Sequence, residues 1–185
     1  MVSTPTPVCD FGLPAVDFTL LATDDTLYTL EQCRGVNGLV VMFICNHCPY
    51  VKAILERLIS EAKALEAFGV RCVAIMSNDV TAYPEDSLTN MKQLAGDMAL
   101  PFPYLYDESQ QVAKAYGAVC TPDFFGYNKD LLLQYRGRFD ASRKAASNTA
   151  SSRDLFTAMV QIATTGRGPE QQIPSIGCSI KWRTA

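Results

Sequence analysis

Two runs of apolar residues, each the length of a strand, flank a segment in which apolar positions recur with helical spacing. Residues 39–44 and 70–76 are rich in branched side chains, which is typical of strands buried on both faces of a sheet. Between them, apolar side chains lie three and four positions apart, which predicts an amphipathic helix that Gly69 ends. Strand, helix and strand together predict a βαβ unit with two parallel strands and a right-handed crossover.

The segments on either side of this unit predict a mixed α/β protein. Before it, the alternation over 16–20 and a return strand at 26–28 predict a hairpin, and Thr29 is suited to cap a short helix. After it, the pattern predicts these elements in order: helix 84–98, strand 102–106, helix 109–116, a hairpin of strands 124–127 and 131–135, a mobile loop at 137–152, and helix 154–165.

The chain shows neither an internal repeat nor a linker, so residues 1–185 are predicted to form a single domain. The core of this domain is expected to span about 12–165. The tail, 166–185, contains an apolar stretch at 175–182 that is too hydrophobic to remain in water. We therefore expect the tail to pack back on the core.

Charge and hydropathy exclude several classes of partner. A net charge of −3 gives no electrostatic reason to expect binding to nucleic acid or to an anionic membrane. No apolar run approaches the roughly 18–20 residues of a membrane span. The first residues lack the basic cluster and apolar segment of a secretory signal, so a cytoplasmic location is expected.

The strongest chemical signal is the segment 45–49, Cys-Asn-His-Cys-Pro, which lies between a buried strand and the amphipathic helix. We expect Cys45 to lie at the amino terminus of that helix, where unpaired N–H groups and the helix dipole favour a thiolate, with Cys48 one turn further on. Cys45 is therefore the predicted nucleophile, and Cys48 the thiol that resolves a mixed disulfide formed at Cys45.

His47, the only histidine in the chain, lies between these two cysteines and is a third candidate catalytic residue. If it is protonated, its charge would lower the pKa of the neighbouring thiol and make the disulfide more oxidising. We then expect a redox potential above about −270 mV. The alternative is that His47 is a solvated loop residue with no influence on the thiols.

A second signal is Thr121-Pro122, where an X-Pro bond enters a predicted strand about 75 residues after the CxxC motif. A cis proline at this position would face the dithiol. Cys120 would then lie near the active site, although it could equally be a buried structural thiol. Cys178 in the tail is a further candidate for a resolving thiol. The remaining cysteines, Cys9, Cys33 and Cys72, are expected to be structural.

Metal binding is the alternative interpretation of the motif, because CxxC is half of many zinc sites. Cys45, His47, Cys48 and Cys120 could converge on a metal. However, no second CxxC or HxxxH completes such a site, and the βαβ setting favours redox chemistry, so no metal is expected. No nucleotide-binding glycine motif follows a strand. We therefore expect no cofactor other than a redox-active disulfide, with a separate thiol reductase as partner.

This order of elements resembles the thioredoxin fold, a central mixed sheet flanked by helices, here with an N-terminal hairpin extension and a C-terminal tail. The segment 12–20, followed by Leu30 and Gly35, is similar to the alkyl hydroperoxide reductase/thiol-specific antioxidant (AhpC/TSA) branch of that superfamily. Three further segments, 45–51, 120–125 and 174–182, are similar to a group of mostly uncharacterised bacterial thioredoxin-family proteins.

The resemblance implies two activities, both connected with cell redox homeostasis. The first is thiol–disulfide exchange with a disulfide-bearing protein or a small thiol, in which Asn46, Thr121 and Pro122 bind the substrate beside the dithiol. The second is an antioxidant peroxidase activity, in which Cys45 is oxidised to a sulfenic acid that Cys48, Cys120 or Cys178 resolves. A metal-binding or redox-sensing thiol module is a third alternative.

The chain departs from the motifs of both enzyme classes. A peroxiredoxin has Pro seven residues, and Thr or Ser three residues, before its peroxidatic cysteine. Counting back from Cys45 gives Gly38 and Met42, and counting back from Cys48 gives Val41 and Cys45. The residues that position a peroxide are therefore not in their usual places, which favours disulfide exchange.

The thioredoxin pattern is also incomplete. Ile44 stands where thioredoxin has Trp before its first cysteine, and Leu39 replaces its buried Asp. The usual proton acceptor for the second thiol is therefore missing. If Cys48 needs a base, we expect another carboxylate, water or His47 to supply it.

Overall fold

The computed structural model describes residues 3–6, 11–142 and 152–184. The strands are β1 (Ser3–Pro5), β2 (Thr19–Ala22), β3 (Leu27–Thr29), β4 (Gly38–Phe43), β5 (Val70–Met76), β6 (Tyr104–Tyr106), β7 (Cys120–Thr121), β8 (Asp123–Asn128), β9 (Leu133–Gly137) and β10 (Ile176–Ser179). The helices are α1 (Leu30–Cys33), α2 (Pro49–Glu66), α3 (Leu88–Asp97), α4 (Gln111–Tyr116) and α5 (Asp154–Thr165), and a 3₁₀ turn, Pro84–Asp86, precedes α3.

A central mixed sheet organises the molecule, with strand order β3-β2-β6-β5-β4-β8-β9. β5 pairs in parallel with β4 and β6, and the other pairings are antiparallel. All six residues of β4 are buried because the strand lies inside the sheet with a hydrophobic core on each face. The predicted α/β architecture with a central mixed sheet is confirmed, as is the parallel βαβ unit around α2.

Local signals place the first hairpin and the helix after it. β2 and β3 pair antiparallel, and Thr29 caps α1 in a capping box with Gln32. The single helix predicted over 84–98 is wrong, because the chain instead forms a 3₁₀ turn and then α3. Ser87 separates the two by accepting a hydrogen bond from the Asn90 amide, which is the ordinary role of serine at a helix start.

The tail lies against the core through a second, smaller sheet of order β1-β10-β7. Cys178 of β10 pairs with Thr121 of β7. Gly177 must be glycine for this approach, since a Cβ there would lie 2.1 Å from the Thr121 carbonyl oxygen. The mobile loop predicted over 137–152 falls largely outside the described residues. Among the described residues, no helix is both long and apolar enough to cross a membrane.

Candidate active site

The two cysteines of the CxxC motif lie where β4 ends and α2 begins. The structure does not confirm the expected helix position: Cys48, not Cys45, is the N-cap residue of α2, and Cys45 lies in the preceding loop. The reason is Pro49, whose fixed φ and missing N–H suit the first helical position, so the helix begins one residue after Cys48. The favourable end of the helix dipole therefore faces Cys48.

Thr121 brings both sulfurs into contact with the loop before Pro122. Its hydroxyl lies 3.4 Å from the Cys45 sulfur, and its carbonyl oxygen lies 3.1 Å from the Cys48 sulfur, from which it accepts a hydrogen bond when that thiol is protonated. The Thr121–Pro122 peptide bond is cis, as the sequence predicts. Both cysteines are buried, with Cys45 only 1 % exposed. The dithiol and the proline loop thus form one buried cluster.

The two thiols form a hydrogen bond with each other. A hydrogen bond from Cys45 lowers the pKa of Cys48 to about 5, against the opposing effect of burial. Thr121, the Val51 amide in the first turn of α2, and Cys178 lower it further. The same hydrogen bond raises the pKa of Cys45, and burial adds to that rise. The pair therefore favours the state in which Cys48 is the thiolate, the nucleophilic form of cysteine, and Cys45 keeps its proton.

Asp86 is a site residue that the sequence analysis missed. Its buried carboxylate accepts hydrogen bonds from the backbone N–H groups of Asn46 and His47, at 2.8 and 3.2 Å, and from the Asn78 side chain at 2.8 Å. These bonds fix the loop between the two cysteines. No local pattern could have identified Asp86, because it reaches this loop from about 40 positions away along the chain.

His47 also binds Asp86, its Nδ1 atom lying 2.7 Å from the carboxylate and 3.9 Å from the Cys45 sulfur. The imidazole stacks on Tyr83, with ring centroids 5.3 Å apart. Its side chain is 15 % exposed, so the alternative of a solvated loop residue is wrong. Asp86 lies nearer to the imidazole than Cys45 does. A positive charge on His47 would therefore be offset by this carboxylate rather than acting on the thiolate alone.

The side chain of Asn46, predicted to bind substrate, is engaged within the protein. Its amide nitrogen donates to the Glu85 carbonyl oxygen, and its oxygen accepts a hydrogen bond from the Tyr104 hydroxyl, both at 3.0 Å. Substrate binding by Asn46 stays a prediction.

A groove lies beside the cis-proline loop, with Pro122 in its wall. Among its lining residues are Tyr50, Pro122, Arg138, Asp140 and Ser175. It therefore joins the start of α2 to the proline loop and the tail.

The other cysteines differ in their distance from this cluster. Cys178 in β10 hydrogen-bonds to the Cys48 sulfur. Cys120 is fully buried beside the cluster, its thiol donating to the Pro122 carbonyl oxygen at 3.6 Å, and burial raises its pKa. Cys33 and Cys72 line a separate cavity near the start of β5. Cys9 lies outside the described residues, so its expected structural role stays a prediction.

The residues that could hold a metal in the structure differ from the four that the sequence offers, which are Cys45, His47, Cys48 and Cys120. Within the described residues, ligand atoms of Cys45, His47 and Asp86 lie within 4.8 Å of one another, whereas Cys48 and Cys120 are not part of the group. The two oxygens of Asp86 already accept four hydrogen bonds. A metal would have to displace His47 from this carboxylate, so the donor set favours a hydrogen-bonded loop over a metal centre.

Known structures place this chain among thioredoxin-like proteins. An uncharacterised conserved protein from Geobacillus kaustophilus is 43 % identical, with a TM-score of 0.94 over 100 % of this chain and 98 % of that one. A peroxidoxin from Mycobacterium tuberculosis is 16 % identical, with a TM-score of 0.61 over 84 % and 96 % of the two chains. The thioredoxin domain of a thiol-disulfide oxidoreductase from Bacteroides vulgatus is 13 % identical, with a TM-score of 0.59 over 74 % and 91 %.

The two distant structures show the fold, which is thioredoxin-like as the sequence predicts. A search of the curated proteins finds no match. The family model of the AhpC/TSA family matches residues 11–140, well over half of the chain. This range contains the dithiol, Asp86 and the cis-proline loop. The chain therefore belongs to the AhpC/TSA family, whose members include thiol-disulfide oxidoreductases and peroxiredoxins.

Proposed function

We propose that this protein is a thiol–disulfide oxidoreductase that uses Cys45 and Cys48 as its redox pair. The observation that carries the proposal is the hydrogen-bonded pair of sulfurs, both in contact with Thr121 beside the cis proline. A dithiol that holds one negative charge at neutral pH can attack a disulfide without an added base. The reactive groups all come from the protein, so the proposal includes no bound cofactor.

Transfer of the proton from Cys45 to Cys48 starts the reaction. The Thr121 hydroxyl stabilises the resulting Cys45 thiolate, and the Cys48 thiol donates to the Thr121 carbonyl oxygen. The Cys45 sulfur attacks one sulfur of the substrate disulfide and releases the other as a thiolate, which takes up a proton. The Cys48 sulfur then attacks Cys45 and breaks the mixed disulfide, and the Cys48 proton passes to the second substrate sulfur, which leaves as a thiol.

Access is the second requirement of this mechanism. Because Cys45 is 1 % exposed, the side chains that bury it must move before a substrate disulfide can reach the sulfur. The groove beside Tyr50 and Pro122 provides a surface for the rest of the substrate. A separate thiol reductase would return the Cys45–Cys48 disulfide to the dithiol state, and we place this cycle in the cytoplasm.

The test is disulfide exchange between the reduced protein and a fluorescent peptide disulfide. Cys45→Ser is expected to reduce the rate by at least about 1,000-fold, because it removes the nucleophile. Cys48→Ser is expected to accumulate a mixed disulfide at Cys45, which mass spectrometry detects. Cys72→Ala, which alters a buried thiol elsewhere, is the matched control and should retain the wild-type rate. Full exchange activity in Cys45→Ser would contradict the proposal.

Peroxide reduction is the second candidate, and the Thr121 hydroxyl favours it. This hydroxyl lies 3.4 Å from the Cys45 sulfur and could hydrogen-bond a peroxide there, although the usual motif residue is absent. Cys45 would become a sulfenic acid, which Cys48 resolves to a disulfide. The test is the rate of thiol loss under hydrogen peroxide. Loss no faster than for free cysteine excludes this candidate.

A further inference from the structure

Cys178 occupies a defined position in the cluster that the Cys45–Cys48 exchange does not use. It lies on β10, opposite Thr121 in the strand pairing, and is 2 % exposed. Its sulfur hydrogen-bonds to Cys48. Cys48 therefore has two sulfur partners, one from its own loop and one from the tail, 130 residues away.

Several contacts hold the tail in this position. Next to Cys178, the packing of Gly177 against the Thr121 carbonyl oxygen admits no side chain. The Ser175 hydroxyl donates to the Pro122 carbonyl oxygen at 2.8 Å, and the Lys181 amide donates to the Asn78 side chain at 2.8 Å. The Cys178 sulfur is thus fixed beside Cys48 by bonds on both sides of it along the chain.

We propose that Cys178 is a third redox residue, which accepts the disulfide from the Cys45–Cys48 pair by attacking the Cys48 sulfur. This inference rests on the proposed function, because oxidation of Cys45 and Cys48 by a substrate disulfide must come first. In the step, the bond between Cys178 and Cys48 forms and the bond between Cys45 and Cys48 breaks. The proton of Cys178 passes to Cys45, so no further oxidant or reductant is consumed.

The product differs from the starting disulfide in two ways that matter for function. Cys45 is again a thiol beside the Thr121 hydroxyl, while the protein remains oxidised. The new disulfide also joins β10 covalently to the start of α2 and so locks the tail over the proline loop. The reductase would then meet a disulfide held by the tail rather than one confined to the CxxC loop.

The experiment maps disulfides by mass spectrometry after acid quenching across a glutathione redox titration. The wild-type protein is expected to show both Cys45–Cys48 and Cys48–Cys178. Cys45→Ser should form Cys48–Cys178 in most molecules, and Cys178→Ser should form only Cys45–Cys48. Cys120→Ser, which alters a neighbouring buried thiol, is the matched control and should give the wild-type pattern. Thermal unfolding of each variant confirms that it is folded.

The outcomes separate this inference from the proposed function. If Cys178→Ser forms Cys45–Cys48 but Cys48–Cys178 appears neither in Cys45→Ser nor in the wild type, the relay is wrong and the exchange mechanism stands. If no variant forms a disulfide that includes Cys48, both are wrong. A folded Cys178→Ala variant gives a second test, because it should reproduce the Cys178→Ser pattern without a hydroxyl.

Discussion

Two pairs of buried cysteines in this molecule differ in acidity, because only one of the pairs contains a thiol whose pKa is lowered. Cys33 and Cys72 line one cavity near the start of β5, and burial raises the pKa of Cys33 to about 11 and that of Cys72 to about 12. Cys45 and Cys48 are buried at least as deeply. Nevertheless, the hydrogen bond from Cys45 lowers the pKa of Cys48 to about 5.

This difference shows that the depth of burial alone does not decide whether a thiol is acidic enough to react. Burial penalises every thiolate, and hydrogen-bond donors or positive charges that face the sulfur oppose this penalty. At Cys48 these donors come from its partner cysteine, Thr121, the first turn of α2 and Cys178. Among the described residues, no such set of donors surrounds Cys33 or Cys72, and burial is the largest influence on the pKa of each.

The largest expected effect is the low pH at which the first thiolate of the reduced protein forms, and a pH titration tests it. The ultraviolet absorbance of one thiolate should appear with a midpoint near pH 5, about four units below the ordinary cysteine value of 9.0. The thiolate is fully present at neutral pH and is lost as the pH falls through 5. Cys48→Ser should abolish this step, whereas Cys72→Ala should leave it in place. A first thiolate midpoint near 9 in the wild type would contradict the comparison.

Displacing the tail from the proline loop should reduce the difference in acidity between the two cysteine pairs. Gly177→Ala places a Cβ 2.1 Å from the Thr121 carbonyl oxygen, so we expect a loss of about 1–3 kcal/mol in the free energy of unfolding. The Cys178 contact should weaken with it, which raises the pKa of Cys48. Gly96→Ala in α3 is the control, because nothing lies within 4 Å of its Cβ and no destabilisation is expected. Denaturant unfolding measures both, and equal stability of the two variants would show that β10 does not need this glycine.

Removing the charge of Asp86 should change the redox potential by a smaller amount. The Cys48 hydrogen bond and burial are the main reasons for the raised pKa of Cys45, and the Asp86 charge adds to them. Asp86→Asn should therefore stabilise the Cys45 thiolate and make the disulfide more oxidising, by on the order of 10–30 mV. A glutathione titration measures the shift.

Asp107→Asn is the matched control for this variant. Asp107 is also a buried carboxylate, and it accepts hydrogen bonds from Ser77, Ser109 and the Ala113 amide. The redox potential of Asp107→Asn should equal that of the wild type. An unchanged or more negative potential in Asp86→Asn would contradict the assigned effect of its charge.

The smallest expected effect concerns metal content. If the hydrogen bonds of Asp86 hold the loop, the purified reduced protein should contain far less than one equivalent of metal, and His47→Gln should not change that content. Elemental analysis measures it. One equivalent of zinc that His47→Gln removes would instead favour the cluster of Cys45, His47 and Asp86 as a metal centre.

Much of the fold could be predicted because its signals are local. Strand and helix periodicities identify β4, α2 and β5, and the cap at Thr29 identifies α1. The CxxC motif and Thr121-Pro122 identify two parts of the candidate site, which the sheet then brings together. The predicted helix over 84–98 failed because its apolar spacing hides a break at Ser87.

The reactive residue types and the βαβ unit that presents them can be predicted from the sequence alone, because both depend on short-range order along the chain. The groups that surround the sulfurs, in contrast, depend on the folded chain. Asp86 reaches the loop from about 40 residues away and Cys178 from 130, through strand register and tail packing that no local pattern encodes. The acidity of a buried thiol depends on these distant donors and charges, and so it emerges only when the chain is folded.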